Sequence, residues 1–143
     1  MKHFQPFELV SPAVYAVSGD NSLSLFDPEA LQALDDLREF FGVPITINNW
    51  KSGGQFQHRG YRTLQDEMAV NPKSTGHSAH QLGKAFDCDI QGYTAEQARE
   101  KILANQDNPL LRRINRMESG VSWLHFDTMA PPAGMRRIYL FKA

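Results

Sequence analysis

The run from Gly83 to Ile90, GKAFDCDI, alternates polar and apolar side chains. In an extended strand successive side chains point to opposite faces, so Ala85, Asp87 and Asp89 share one face and Phe86, Cys88 and Ile90 the other. The apolar face has to meet a core. The same grammar recurs in VSWLHFD, where Trp123, His125 and Asp127 fall on one face and Leu124 and Phe126 on the opposite one. If the two strands are neighbours, Asp87 and His125 converge. His80 lies just before the first of them.

Helical signals surround these strands. DPEALQALDDLREFFG has Asp27 as N-cap, Pro28 at the first helical position, apolar Leu31, Leu34, Leu37 and Phe41, and a terminating Gly42. In TAEQAREKILANQ, Thr94 and Gln97 have capping-box spacing, and Ala98 and Ile102 lie on an apolar stripe. TLQDEMAV reads as a short helix before an irregular loop through Asn71, Pro72 and Gly76. VPITINNW reads as a strand leaving toward the glycine-broken loop KSGGQF. The C-terminal third holds three strand-like runs, RINRME, VSWLHFDTM and RRIYLFKA, whose short connections favour antiparallel pairing. The expected fold class is α+β, an antiparallel sheet with helices packed on one side. At 143 residues one domain is expected, with residues 1–26 as an extended N-terminal arm.

Composition narrows the chemistry. A net charge of −1 with scattered lysines and arginines offers no footprint for a phosphate backbone, so nucleic acid is not an expected partner. No apolar run approaches the roughly 18 residues of a membrane span, and MKHFQPFELVSPAVYAV lacks the apolar core of a signal peptide. The chain is therefore expected in the cytoplasm as synthesised. A single cysteine, Cys88, excludes an internal disulfide and cysteine-rich structural zinc sites, so any metal must use His, Asp or Glu. His80, Asp87 and His125 with a fourth position open would be the arrangement of catalytic rather than structural zinc, while by spacing alone the same residues read as ordinary polar surface. Cys88 faces the apolar side and reads as a buried, inert thiol. His77 reads as a loop histidine, and His3 and His58 have no visible partners. Trp50 and Trp123 read equally as cleft walls and as core aromatics.

SAHQLGKAFD, Ser78 to Asp87, fits S-x-H-x-x-G-x-A-x-D, with G-Y-R upstream in RGYRT and a tryptophan-histidine element downstream in WLH. Three such elements in this order resemble the zinc D-alanyl-D-alanine carboxypeptidase and endopeptidase family, peptidase family M15. The resemblance spans roughly Ile45 to Asp127 and implies the small α+β fold that these peptidases share with the hedgehog signalling domain. It implies one Zn2+ per chain held by His80, Asp87 and His125, with Arg62 binding substrate and steadying the developing oxyanion. Ser78 either bonds substrate or starts a turn, and Trp123 lies on the ligand face. Gly83 permits a turn into the strand, and Ala85 leaves space beside the metal.

Many members of that family carry an acid three positions before the last histidine, and here that position is Ser122. Glu118 and Asp127 compete for the role of general base. A four-residue loop, Ser119 to Ser122, sets Glu118 opposite Trp123, one pleat from His125; a two-residue Ser119-Gly120 turn leaves it about 13 Å away, at roughly 3.3 Å per residue. Glu118 is the favoured base. Asp127 instead orients an imidazole through its second nitrogen, or faces solvent.

The resemblance implies a zinc metallopeptidase of D,D- or L,D-type, a carboxypeptidase or endopeptidase hydrolysing bacterial peptidoglycan stem peptides or cross-links. A bond involving a D-amino acid, a monomeric enzyme and a phage or prophage origin are the expectations. The alternative is a zinc-containing binding or structural module, such as a virion part, that keeps the metal without hydrolysis. Ser122 is the feature favouring it.

Overall fold

The computed structural model describes residues 1–135 and 137–142. Among them are five strands, β1 (Ile45–Thr46), β2 (Ala85–Ile90), β3 (Arg116–Ser119), β4 (Leu124–Asp127) and β5 (Tyr139–Lys142). They form one sheet in the order β1-β2-β4-β3-β5. The α-helices are α1 (Pro12–Ser18), α2 (Pro28–Phe41), α3 (Leu64–Val70) and α4 (Ala95–Ala104), so the domain is α+β.

The alternation in β2 and β4 decides which face is buried. Phe86, Cys88, Leu124 and Phe126 point into the core, where they meet Ala30, Ala33, Leu34, Leu37 and Phe41 of α2 and Ala98 and Ile102 of α4. α2 starts where Asp27 Oδ1 accepts from the Glu29 amide at 3.1 Å, and it ends at Gly42. α3 and α4 start at capping boxes, Thr63 with Asp66 and Thr94 with Gln97. Burial pushes the Cys88 thiol well above its ordinary pKa, which leaves it protonated and unreactive.

Three expectations need correction. β1 pairs with β2, β2 with β4 and β3 with β4 in antiparallel fashion, but β3 and β5 are parallel. Both edges of β4 are taken by β2 and β3, and β5 adds to the outer edge of β3. Arg116 of β3 pairs with both Asp127 and Tyr139, which means that the chain crosses the start of β3 before it enters β5. Entering from that end makes the pair parallel. The ends of the run RRIYLFKA, at positions 136 and 143, lie outside the described residues.

The first 26 residues are helical turns rather than an extended arm. They comprise α1 flanked by 3-10 turns at Pro6–Glu8 and Gly19–Leu25, with Phe4, Leu9, Val10, Val14 and Phe26 buried. Ser11 Oγ accepts from the Val14 amide, and Pro12 occupies the first helical position, an N-terminal signal of ordinary kind.

VPITINNW contributes only two residues to the sheet. Its later amides turn to this N-terminal layer: Asn48 N donates to Glu8 O at 2.9 Å and Asn48 Nδ2 to Val10 O at 3.0 Å. Trp50 Nε1 also donates to Val10 O, at 2.9 Å, and its ring packs on Tyr15, so Trp50 belongs to this layer and not to a cleft with Trp123.

Candidate metal centre

The β2–β4 register makes Asp87 and His125 direct Cα partners on the face away from the core. His80 reaches the same place from the turn before β2. That turn closes through Gly83, whose amide donates to His80 O at 3.2 Å. Gly83 has φ of +69°, and a Cβ there would sit 2.5 Å from Leu25 O and 2.8 Å from Phe26 Cα, so both backbone conformation and space demand glycine. Gly60 of the G-Y-R element is required for a different reason. A Cβ at Gly60 would run into the carbonyl of Leu9, beneath which the chain passes on its way to Arg62.

One ligand atom from each of His80, Asp87 and His125 lies within 4.8 Å of the others, and all three residues are buried. His80 Nε2 is 3.3 Å and His125 Nδ1 is 2.9 Å from Asp87 Oδ1. Ligands of a tetrahedral ion bound at about 2.0–2.1 Å lie some ~3.3 Å apart, so the spacing suits a small divalent cation.

The opposite nitrogens bear on the tautomers. His80 Nδ1 lies 2.9 Å from Gly60 O and donates to it, since a carbonyl only accepts, which leaves the His80 Nε2 lone pair facing Asp87. His125 stands between two carboxylates, with Nε2 2.8 Å from Asp127 Oδ2 and Nδ1 2.9 Å from Asp87 Oδ1. A ring that donates through Nε2 turns its Nδ1 lone pair to Asp87, where a proton or a metal ion fills the gap. The donor set, its spacing and the acceptor behind each imidazole fit a metal.

The electrostatics agree. Burial pulls the His125 pKa down, but its contacts with Asp127 and Asp87 outweigh this and push it up to about 9 without a metal. Burial acts to raise the Asp87 carboxyl, while His80 and His125 hold it well below the usual carboxylate range. The cluster is built to keep a negative charge beside a positive one.

Arg62 adjoins the cluster, held by the protein itself. Its Nε donates to His58 O at 2.6 Å, Nη1 to Glu67 Oε1 at 3.0 Å and Nη2 to Asp87 Oδ2 at 3.3 Å. Three of its five N–H groups are thereby engaged. Ser78 Oγ donates to the same Glu67 oxygen at 2.8 Å, so it is tied to a carboxylate. Glu67 went unnoticed in the sequence reading; its only local signal is its place in the first turn of the capped helix α3, five residues after Arg62.

Glu118 lines one cavity with His80, Asp87 and His125. The pairs Arg116↔Asp127 and Met117↔Phe126, continued by one residue, set Glu118 opposite His125 rather than opposite Trp123. The loop is therefore 120–123, shifted by one from the predicted one. No described residue donates a hydrogen bond to the Glu118 carboxylate, and burial, then Asp87, push its pKa above the ordinary value against the pull of His125, His80 and Arg62.

Asp127 does not face solvent. It is fully buried, with Arg116 Nε on Oδ1 at 2.8 Å and Nη2 on Oδ2 at 2.9 Å in addition to His125. Both its oxygens are occupied, which leaves Glu118 as the free acid. Arg116 was also missed, because only the strand register brings it to Asp127.

The cluster opens into a cavity of about 410 Å³ whose lining includes Arg62, Ser78, Glu118, Trp123 and Phe141, with exposed His77 at its rim and outside the ligand set. His3 Nε2 meets Glu39 at 2.8 Å, His58 Nδ1 lies 3.4 Å from Asp66 without a hydrogen bond, and neither ring belongs to the candidate ligand set. No helix is long and apolar enough to cross a membrane among the described residues. In comparisons with known proteins, no family model, no curated protein and no solved structure matches the chain.

Proposed function

We propose that the chain is a zinc metallopeptidase hydrolysing peptide bonds in bacterial peptidoglycan, in stem peptides or cross-links, at a bond involving a D-amino acid. One observation carries the reading. Glu118, a carboxylate with no described hydrogen-bond donor, stands across the sheet from His125, and both line the cavity into which His80 and Asp87 also open. An acid so placed beside a three-ligand site is what hydrolysis needs and a purely structural metal does not.

Zinc in such a site supplies Lewis acidity toward a peptide carbonyl and lowers the pKa of a water from about 16 toward 7. The chain does the rest. His80, Asp87 and His125 hold the ion, and Gly60 O and Asp127 keep the two rings turned toward it. Glu118 takes a proton from the attacking water and returns it to the leaving amine, a role suited to a carboxylate whose pKa burial raises above the ordinary value. Arg62, clamped by Glu67 and Asp87, directs its two remaining N–H groups at charge developing on the carbonyl oxygen. The cell-wall substrate rests on the three motifs of the family resemblance rather than on the cavity.

The test is digestion of isolated peptidoglycan by the zinc-replete protein, with released peptides identified by mass spectrometry. New termini at one defined bond are expected, and intact peptidoglycan would sink the enzymatic reading. A second reading, a zinc-containing binding or virion module without hydrolysis, is favoured by Ser122 at the family's usual acid position and by the engagement of Arg62 with Glu67 and Asp87. That reading requires retained zinc and binding of peptidoglycan fragments without cleavage.

A further inference from the structure

Arg116 and Asp127 are cross-strand partners in β3 and β4, and they form a two-pronged ion pair at 2.8 and 2.9 Å. The carboxylate in that pair has no solvent exposure. One of its oxygens, Oδ2, also accepts from His125 Nε2 at 2.8 Å, and the other accepts from the Met129 amide at 3.1 Å. Every acceptor position that matters is filled by a directed donor.

From this geometry we infer that Arg116 is a positioning residue for the metal, acting through Asp127 on His125. The inference rests on reading His80, Asp87 and His125 as a metal site. A guanidinium fork fixes the plane of the carboxylate as well as its place, because both prongs must be satisfied together. The plane of the carboxylate in turn fixes which His125 nitrogen carries hydrogen and where Nδ1 points. β5 reinforces the arrangement. The Phe141 ring lies 4.5 Å from the Arg116 guanidinium and meets the His125 ring edge-on at 5.5 Å, so one side chain packs on both ends of the relay.

Without the fork, Asp127 is a buried carboxylate held only by the Met129 amide and by the His125 ring itself. The His125 ring then keeps its packing on Phe141 but loses the fixed acceptor behind Nε2, and Nδ1 can swing away from Asp87. A mere strand-to-strand ion pair would behave otherwise: its loss would lower stability and leave metal affinity alone.

The experiment measures zinc affinity of the full chain by competition with a chromophoric chelator at one pH, for the wild type, Arg116→Met, Asp127→Asn and the double variant. About 10- to 100-fold weaker binding is expected for Arg116→Met, as for loss of other groups that orient ligands. The double variant should bind no more weakly than the weaker single variant, since both act on His125 by one route. Cobalt-loaded Arg116→Met should show a shifted visible absorption spectrum, which a role confined to stability would not produce. Wild-type zinc affinity in Arg116→Met, or losses that multiply in the double variant, would overturn the inference. Should Arg116→Met fail to fold, Arg116→Gln replaces it; at least about threefold weaker binding is then expected, and wild-type affinity is the overturning result. A wild-type chain that binds no zinc would overturn the metal-site reading and the inference with it, whereas zinc binding that ignores Arg116 overturns the inference alone.

Discussion

Asp87 Oδ1 and His125 Nδ1 lie 2.9 Å apart between strands whose register makes the two residues direct partners. An acceptor this close to a ring nitrogen needs a proton or a metal ion between the two, and His80 completes the set from the turn before β2. The first prediction follows from that demand. Elemental analysis should find about one zinc per chain, and His80→Ala should lower it. Free zinc at about 100 times its Kd should raise the unfolding free energy of the wild type by ~2.7 kcal/mol, an effect that chelator removes. Unchanged occupancy in His80→Ala would refute the ligand set.

Glu118→Gln removes the free carboxylate while keeping its shape. Turnover on peptidoglycan peptides should fall by about 10²–10⁴-fold with zinc still bound. Asp127→Asn should show the reverse pattern, with zinc affinity as the main casualty. Undiminished turnover in Glu118→Gln would assign the base elsewhere.

The strand register alone does not hold Glu118. Buried Arg99 of α4 donates to the carbonyls of Glu118 at 3.4 Å, Val121 at 3.0 Å and Trp123 at 3.1 Å, clasping the whole β3–β4 turn. Arg99→Met leaves those acceptors short of a donor, so unfolding should become easier by about 1–3 kcal/mol. Turnover should drop while zinc content stays at the wild-type level; calorimetry and metal analysis on one preparation check both.

At Gly83 a methyl group would meet Leu25 O at 2.5 Å in a backbone conformation of φ +69°. Gly83→Ala should cost at least roughly 1–3 kcal/mol in urea unfolding, from the strained backbone before the clash is counted. Because the same turn carries His80, zinc affinity should fall too. Wild-type behaviour on both counts would mean that the turn relaxes freely.

Asp27 caps α2 and takes Lys84 Nζ at 2.7 Å, and that bond, against the effect of burial, keeps its carboxyl below the usual range. A depressed carboxylate protonates more readily in the unfolded chain. Its stabilising contribution is therefore whole above the unfolded pKa of about 3.9 and is lost as pH falls through the lower folded value. Asp27→Asn should accordingly destabilise the protein at about pH 6 and do so much less at about pH 3. Denaturant midpoints of the two chains at both pH values give the comparison, and a constant difference would remove Lys84 from the account.

Short-range features were legible in the residues. The alternation in AFDCDI and WLHFD assigned Phe86, Cys88, Leu124 and Phe126 to the core and Asp87 and His125 to the other face, as found. Asp27 and Thr94 start the helices they were placed to start, and TLQDEMAV forms a short helix that Thr63 caps. The N-terminal layer, expected as an extended arm, also carried a local helix signal, Ser11-Pro12.

What the sequence by itself determined is thus the faces that Asp87 and His125 occupy and where the helices start, because periodicity and capping are properties of neighbouring residues. Only the tertiary structure decided how those faces meet. The β3–β4 pairing set Arg116 against Asp127 and brought Glu118 into one cavity with His125, and β5 joined the outer edge of β3 in parallel, with Phe141 packing over both Arg116 and His125. Register depends on how a loop closes and on which strand edges remain open, and a shift of a residue or two changes the opposing partner while leaving every local pattern in place.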